Sequence, residues 1–363
     1  MGYEARKELY EQLEERRGHP VIAYVTSIRP GMSAQMAQDA IPYIIEQVDN
    51  VDRSIDVIDF LIVSNGGDPI VAQRIVSILR ERFKHISVLV PYVAFSAATV
   101  LALGADEIVM HPYSNLGPVD PQLTVTRPNQ QGQQSSIEFS TEDIRNYIDF
   151  VKNDFGITDQ VSLTKALESL ATEVGAIPMG SSKRSQQLSL SLSEKMLAAH
   201  MDDNGQAASI ARALNSNFFH HGYAVSRAEA KEIGLQIEFP DAETEKLLWD
   251  IWSDFNEEMR CSQPFDPSTE MTQHAGDPAV LHLVPVLQIP AGLPPELSQI
   301  AAQNILAQIH VANQTTVEYE CTLACVESKG LSRSISNRFF SISWRDAGMN
   351  FVNNTTVIPG GWV

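Results

Sequence analysis

A glycine pair and a serine are the residues of this sequence best placed to do chemistry. Asn65-Gly66-Gly67 ends an apolar run whose centre, DFLIV, reads as a buried strand. Glycines there open backbone angles closed to other residues and let main-chain N–H groups point outward with no Cβ in the way, so the turn can hold an oxyanion. Ser96 follows 29 residues after Gly67, where the strand-like Tyr92-Val93-Ala94-Phe95 runs into Ser96-Ala97-Ala98. A serine at the start of a helix sits where unpaired N–H groups favour developing negative charge. Two parallel strands joined by one helix set their carboxyl ends side by side, so the Gly67 amide and the Ser96 hydroxyl are expected to converge on one carbonyl carbon. Acyl transfer is the reaction that such a geometry suits. Each feature alone also has an ordinary explanation, a tight turn for the glycines and a helix cap for the serine; the two at this spacing are what point to a site.

The elements that must position these groups form a βαβ pattern. Residues 54–65 read as a strand buried on both faces, as parallel sheets require. Residues 68–83 carry Ile70, Val71, Ile75, Val76 and Leu79 as a helical stripe, and 86–90 read as a second buried strand. Upstream, 3–17 read as a charged amphipathic helix, 21–24 as a short strand, and a helix of about 17 residues is expected from Ser33. Downstream, 95–104 read as a small apolar helix and 107–110 as a short strand, before a loop with Gly117-Pro118. The polar stretch 127–140 suggests a mobile surface loop or a strand hairpin, a candidate lid. Helices are expected from a cap at Ser140 or Thr141, over 162–174 and over 189–201, with 175–185 as a small-residue loop. Ser226-Arg227-Ala228-Glu229 is a capping box before a short helix, and 235–239 read as a strand. A helix over 243–259 precedes residues 261–277, whose prolines and glycine mark a linker. The expected organisation is a catalytic domain over 1–260, a linker over 261–277 and an α+β module of unknown role over 278–363, with a helix at 294–309 and strands at 315–325 and 338–344.

Composition narrows the function classes. A length of 363 residues fits one large domain with an appendage. The net charge of −19 repels phosphate backbones and anionic membranes, so no nucleic-acid or membrane partner is expected. The opening MGYEARKELYEQLEERRGHP lacks the apolar core of a secretory signal, and no stretch reaches about 18 uncharged apolar residues; a cytoplasmic location is the expectation. Cys261, Cys321 and Cys325 form neither an even disulfide framework nor a zinc cluster and read as reduced packing residues. No G-x-G-x-x-G follows a strand and no Walker A sequence occurs, so neither a nucleotide nor a metal is expected as cofactor.

The segment SNGGDPIVAQRIVSILRERFKHISVLVPYVAFSAATVLALGADEIVMHPYSNLGPVDPQL resembles the Clp-type proteases and signal peptide peptidase A, within the wider Clp/crotonase superfamily, and above all the serine dehydrogenase proteinase family of Clp-fold serine proteases. The resemblance spans about residues 20–240, through YAVSRAEAKEIGL, and leaves the last third unmatched. It implies an α/β fold, a Clp/crotonase-like spiral of βαβ units, with Ser96 as nucleophile and the Gly67 and Ala97 amides as oxyanion hole.

The base is not settled by the sequence. A serine needs a neighbour to take its proton, either a histidine or a lysine desolvated until its pKa approaches neutrality. Clp-type proteases carry the triad histidine about 25 residues after the serine, yet that place here reads Gly117-Pro118-Val119-Asp120. His111, earlier in the chain, reads as a surface turn histidine. Signal peptide peptidase A uses a Ser-Lys dyad with the lysine roughly 50 residues downstream, and Lys152 stands 56 residues after Ser96. His221 falls where the Clp-type triad aspartate would align, and related serine dehydrogenase proteinases tend to carry a histidine there; with Asp120 orienting it, the His and Asp positions would be exchanged. Both bases stay open, with a solvated Lys152 and a core role for His220 or His221 as the plainer alternatives. The expected activity is that of an ATP-independent serine endopeptidase acting on peptides or unfolded segments, assembled as a homo-oligomer in which the N-terminal helix is a candidate contact. Two alternatives remain: a scaffold that has lost its base, or a crotonase-like acyl-thioester enzyme, for which no basic cluster near Gly67 offers an ADP-phosphate site.

Overall fold

The computed structural model describes residues 2–128, 133–216, 222–275, 293–309, 315–345 and 351–363. The chain forms two units, one of Met1–Thr26, Gln35–Asp254 and Val326–Ser332, the other of Ser27–Ala34, Phe255–Cys325 and Arg333–Val363.

The larger unit opens with helix α1 (Tyr3–Arg17) and strand β1 (Val21–Thr26), then α2 (Ile41–Asn50), β2 (Val57–Val63), α3 (Pro69–Arg82), β3 (His85–Val90), β4 (Val93–Ala94), α4 (Ala97–Ala102) and β5 (Glu107–Met110). β6 (Asn115–Leu116) leads to a hairpin of β7 (Leu123–Pro128) and β8 (Gln134–Phe139). Helices α5 (Thr141–Asp149), α6 (Gln160–Val174), α7 (Ala176–Ala198) and α8 (Asn204–Ser216) come next, then β9 (Val225–Ser226), α9 (Arg227–Glu232), β10 (Ile237–Glu238) and α10 (Ala242–Met259). Five strands in the order β10-β5-β3-β2-β1 run parallel. β2 is continuously apolar except for Asp59, because both its faces are covered. The buried Asp59 carboxylate is held by Arg17 and lies 3.1 Å from His19 Nδ1. α3 starts at Asp68, whose carboxylate accepts the Ile70 N–H at 2.8 Å ahead of Pro69, and buries Val71, Ala72, Ile75, Val76 and Leu79. The α/β class and the βαβ unit read from the sequence are what the structure shows.

α1 is not a bare surface helix. Arg6, Tyr10 and Leu13 are buried, and the Arg6 guanidinium forks onto Glu327 at 2.9 and 2.8 Å and onto Asp254 at 2.5 Å. The helix expected from Ser33 begins only at Ile41, with Pro42 in its first turn, because the Met36 backbone is engaged in bonds to the glycine turn. The loop expected over 175–185 is helical instead: α7 runs from Ala176, with Pro178 tolerated in its first turn, and Ser182 is buried with its Oγ 2.6 Å from Thr141 Oγ1. The capping box read at Ser226 forms with Glu229, and of the two residues offered as cap for α5 it is Ser140 that serves, in a box with Asp143.

The smaller unit holds α11 (Pro267–His274), α12 (Pro295–Ile309), β11 (Thr315–Glu327) up to Cys325, β12 (Ser332–Arg345) from Arg333, and β13 (Phe351–Trp362). β12 and β13 pair antiparallel, and β13 is a strand that sequence periodicity does not announce. Its core is Met271, Val317, Tyr319, Cys321 and Phe339, with the Tyr319 and Phe339 rings stacked at 5.1 Å. α11 arises inside the stretch read as linker, since Asp266 caps it by accepting the Thr269 N–H at 2.7 Å and Met271 is buried. Its Glu270 pairs with the buried Arg29 and, at 2.5 Å, with Arg260. All three cysteines are buried thiols.

Candidate active site

Ser96 stands between β4 and α4 with φ 51 and ψ −117, one of two described non-glycine residues with positive φ. A side chain held in that region is strained by about 1–3 kcal/mol, and persists only where its surroundings over-determine it. The surroundings here are tight. A Cβ on Gly66 would lie 2.7 Å from Phe95 O, 2.8 Å from Ser96 Cβ and 3.0 Å from Ala97 N, so only a glycine allows the turn after β2 to press against the serine. Gly67 is equally constrained on its other side, where a Cβ would meet Met36 N and O at 2.5 Å. Gly66 has φ 103 and Gly67 φ 151, both beyond the usual range of L side chains.

Hydrogen bonds fix this turn and leave two donors over. Met36 N–H donates to Gly66 O at 2.8 Å and Asp68 N–H to Met36 O at 3.0 Å; Phe95 N–H donates to Ser64 O at 2.9 Å. Among the described residues, neither the Gly67 amide nor the Ala97 amide donates a hydrogen bond, and the Ser96 hydroxyl has no partner. α4 has only six residues, so negative charge beside Ser96 would be met by individual N–H groups more than by a helix dipole.

Thr99, which belongs to none of the sequence motifs, ties α4 to the loop carrying Asp120. Its buried Oγ1 lies 2.7 Å from Ala94 O and 3.0 Å from Gly117 O, and it accepts the Gly117 N–H at 3.1 Å. Its position one turn after Ser96 was the available signal. Asp120 itself is buried and accepts a hydrogen bond from Gln122 Nε2 at 3.0 Å. The preceding residue is anchored twice, Val119 N–H donating to Leu214 O at 3.0 Å and the Ser189 hydroxyl donating to Val119 O.

The candidate bases fare differently. Lys152 lies on a single π-helical turn, Phe150–Asp154, and is exposed, so its ammonium keeps the water that a lysine base must lose. His221 and His220 lie outside the described residues. His111 is buried, not on the surface: its ring stacks on Trp249 at 5.0 Å, its Nδ1 accepts the Tyr113 N–H at 3.1 Å, and burial pushes its pKa below the ordinary value. That is a packing role.

Residues 3–135 match the family model described as ClpP-like SDH-type serine proteinase. An uncharacterized protein of Methanocaldococcus jannaschii is 24% identical over 254 residues, 65% of this chain and 73% of that protein. A second uncharacterized protein of that organism is 42% identical over 66 residues, 18% of this chain and 23% of its own length. A solved mutant of the 1510-N membrane-bound stomatin-specific protease is similar over 62% of this chain and 82% of its own, at 16% identity and a TM-score of 0.37. The glycine turn and Ser96 both fall within the matched residues, and the resemblance read from the sequence is borne out. No helix among the described residues is long and apolar enough to cross a membrane.

Proposed function

We propose, from the resemblance of residues 3–135 to the ClpP-like SDH-type serine proteinases, that this chain is a serine peptidase working through an acyl-enzyme on Ser96. The observation that carries the reading is the strained Ser96 pressed against Gly66, beside two backbone amides, Gly67 and Ala97, that donate to no described residue. In the reaction, Ser96 Oγ attacks the peptide carbonyl carbon and its proton passes to the base. The carbonyl oxygen becomes an oxyanion that the Gly67 and Ala97 N–H groups receive. Collapse returns the proton to the leaving amine; water then attacks the ester, and Ser96 regains its proton as the acid product leaves. Preorganised donors of this kind are each worth about 10²–10³ in rate.

The base is His221 oriented by Asp120 in our preferred reading, with Lys152 as the second. The burial of Asp120 supports the first, since a carboxylate sheltered from water orients an imidazole more strongly; the exposure of Lys152 weighs against the second. Peptides or unfolded segments are the substrate class, the protein acts as a homo-oligomer, and its location is cytoplasmic. Light scattering of the purified protein checks the assembly, and a monomer at all concentrations would remove it. Incubation with a fluorophosphonate and mapping of the adduct by mass spectrometry tests the chemistry: the reading expects modification of Ser96. An unmodified Ser96 in folded protein leaves the alternative, a Clp-fold scaffold without hydrolytic activity.

A further inference from the structure

Ser64 is wholly buried at the tip of β2, and each of its polar groups is committed to the candidate site. Its backbone links the glycine turn to the strand ahead of Ser96: its N–H donates to Val93 O at 3.0 Å and its carbonyl accepts the Phe95 N–H at 2.9 Å. Its hydroxyl oxygen accepts the Gly66 N–H at 3.0 Å and the Thr26 Oγ1–H at 2.7 Å. A hydroxyl has one proton and two lone pairs. With both lone pairs engaged, the Ser64 proton faces Gly66 O, 3.4 Å away, which also accepts the Met36 N–H at 2.8 Å.

The Gly66 carbonyl matters because it shares a peptide plane with the Gly67 N–H. The described chain has no cis peptide bond, and in a planar trans peptide C=O and N–H point in opposite directions. Holding the Gly66 oxygen toward Met36 and Ser64 therefore turns the Gly67 N–H away from them. Glycine dihedrals are otherwise soft, and a Gly-Gly turn without such restraint would sample several orientations of that plane.

We infer that Ser64, itself held by Thr26, is a positioning residue that aims the Gly67 amide at the oxyanion. The inference rests on the peptidase reading of Ser96. Thr26 acts at one remove, by occupying a lone pair of Ser64 so that the Ser64 proton is directed to Gly66. Neither side chain touches the substrate.

The test measures the saturation kinetics of Ser96 labelling by a fluorophosphonate, whose phosphoryl oxygen occupies the oxyanion position, on the full chain. For Ser64→Ala the maximal labelling rate is expected to fall about 10-fold or more, a loss on the scale of a misdirected hole donor, with the half-saturating concentration and the pH midpoint unchanged. Thr26→Val, which keeps the shape and removes the donor, is expected to slow labelling about 3-fold, and the double variant to be no slower than Ser64→Ala alone, since one chain of bonds is cut in either place. Wild-type rates in Ser64→Ala overturn the inference, as do effects that multiply in the double variant, a change confined to half-saturation, or a moved pH midpoint. Thermal denaturation accompanies each variant. Should Ser64→Ala fail to fold, Thr26→Val carries the test, and its labelling at the wild-type rate is the overturning result. Failure of the wild-type protein itself to label at Ser96 brings down the peptidase reading and this inference together, which sets that case apart from a labelled wild type with indifferent variants.

Discussion

Ser96, Gly67 and Ala97 lie on two neighbouring strand ends, where Phe95 bonds Ser64 and Gly66 packs against Ser96. Asp120, Lys152 and His221 are spread over three separate segments: an anchored loop, an exposed π-turn, and residues outside those described. The first group is held by main-chain geometry, with the Ser64 hydroxyl bonded to the Gly66 N–H within the turn. The second depends on side chains reaching across the unit. In the proposed peptidase site, electrophile binding would thus be a property of the βαβ unit itself, while proton handling would fall to segments further along the chain.

The comparison breaks most directly at the nucleophile. Ser96→Ala is expected to abolish phosphonate labelling and peptide hydrolysis, a loss of at least about 10⁴ given what removal of such a serine costs elsewhere; residual labelling at another serine would relocate the site. His221→Ala and Lys152→Ala, assayed separately, sharpen the other half. The true base should cost about 10²–10⁴ in rate and the other almost nothing, and the wild-type profile should rise through about pH 6–7 for histidine or nearer 8 for lysine. If neither change slows labelling, both assignments fail. Gly66→Ala probes the main-chain half, because its Cβ has no room beside Phe95 O and Ser96 Cβ. A loss of roughly 2 kcal/mol or more in urea denaturation, with activity gone, is expected; an unperturbed variant would mean that the turn is looser than its contacts imply. Thr99→Val leaves the Gly117 N–H without its acceptor and should cost about 1–3 kcal/mol, with a smaller loss of labelling.

The smallest effect is a pH dependence. Burial lowers the pKa of His111, and also of His200, whose Nε2 lies 3.0 Å from Leu103 O, so both histidines favour the neutral form in the folded chain. Stability is then fully present above the unfolded value near 6.5 and declines as pH falls from there through the lower folded values. His111→Gln should flatten part of that slope in urea titrations at about pH 7.5 and 5.5, without altering the Ser96 labelling rate at the higher pH; an unchanged slope removes the assignment.

Much of the geometry around Gly67 and Ser96 was legible because local sequence rules govern it. A continuous apolar run, a glycine pair that alone accepts these dihedrals, and a serine ahead of small helical residues each have a short-range cause. The cap at Ser140 and the Ser226–Glu229 capping box were readable for the same reason. The features that escaped depend on partners distant in the chain. Nothing near Met36 signals that its backbone will pair with Gly66 and Asp68, so a helix was expected too early. The small and polar residues of 175–185 look like a loop until Ser182 finds a buried place along α7. Strand β13 lacks regular apolar alternation and owes its form to the ladder with β12. Lys152 illustrates the limit for the site: spacing along a sequence says where a cation is, not whether water has left it.

The buried Arg29 carries a practical consequence. It belongs with residues 27–34 to the smaller unit, where its guanidinium meets Glu270 and its Nε donates to Gln263 O at 2.8 Å. The polypeptide passes between the units five times, so no single cut yields either one whole. A fragment ending at residue 260 would strip Arg29 of both acceptors and strand a desolvated cation inside what remains. Dissection of this protein therefore belongs to point substitutions, and an insoluble N-terminal fragment would say nothing about what the C-terminal residues contribute to catalysis.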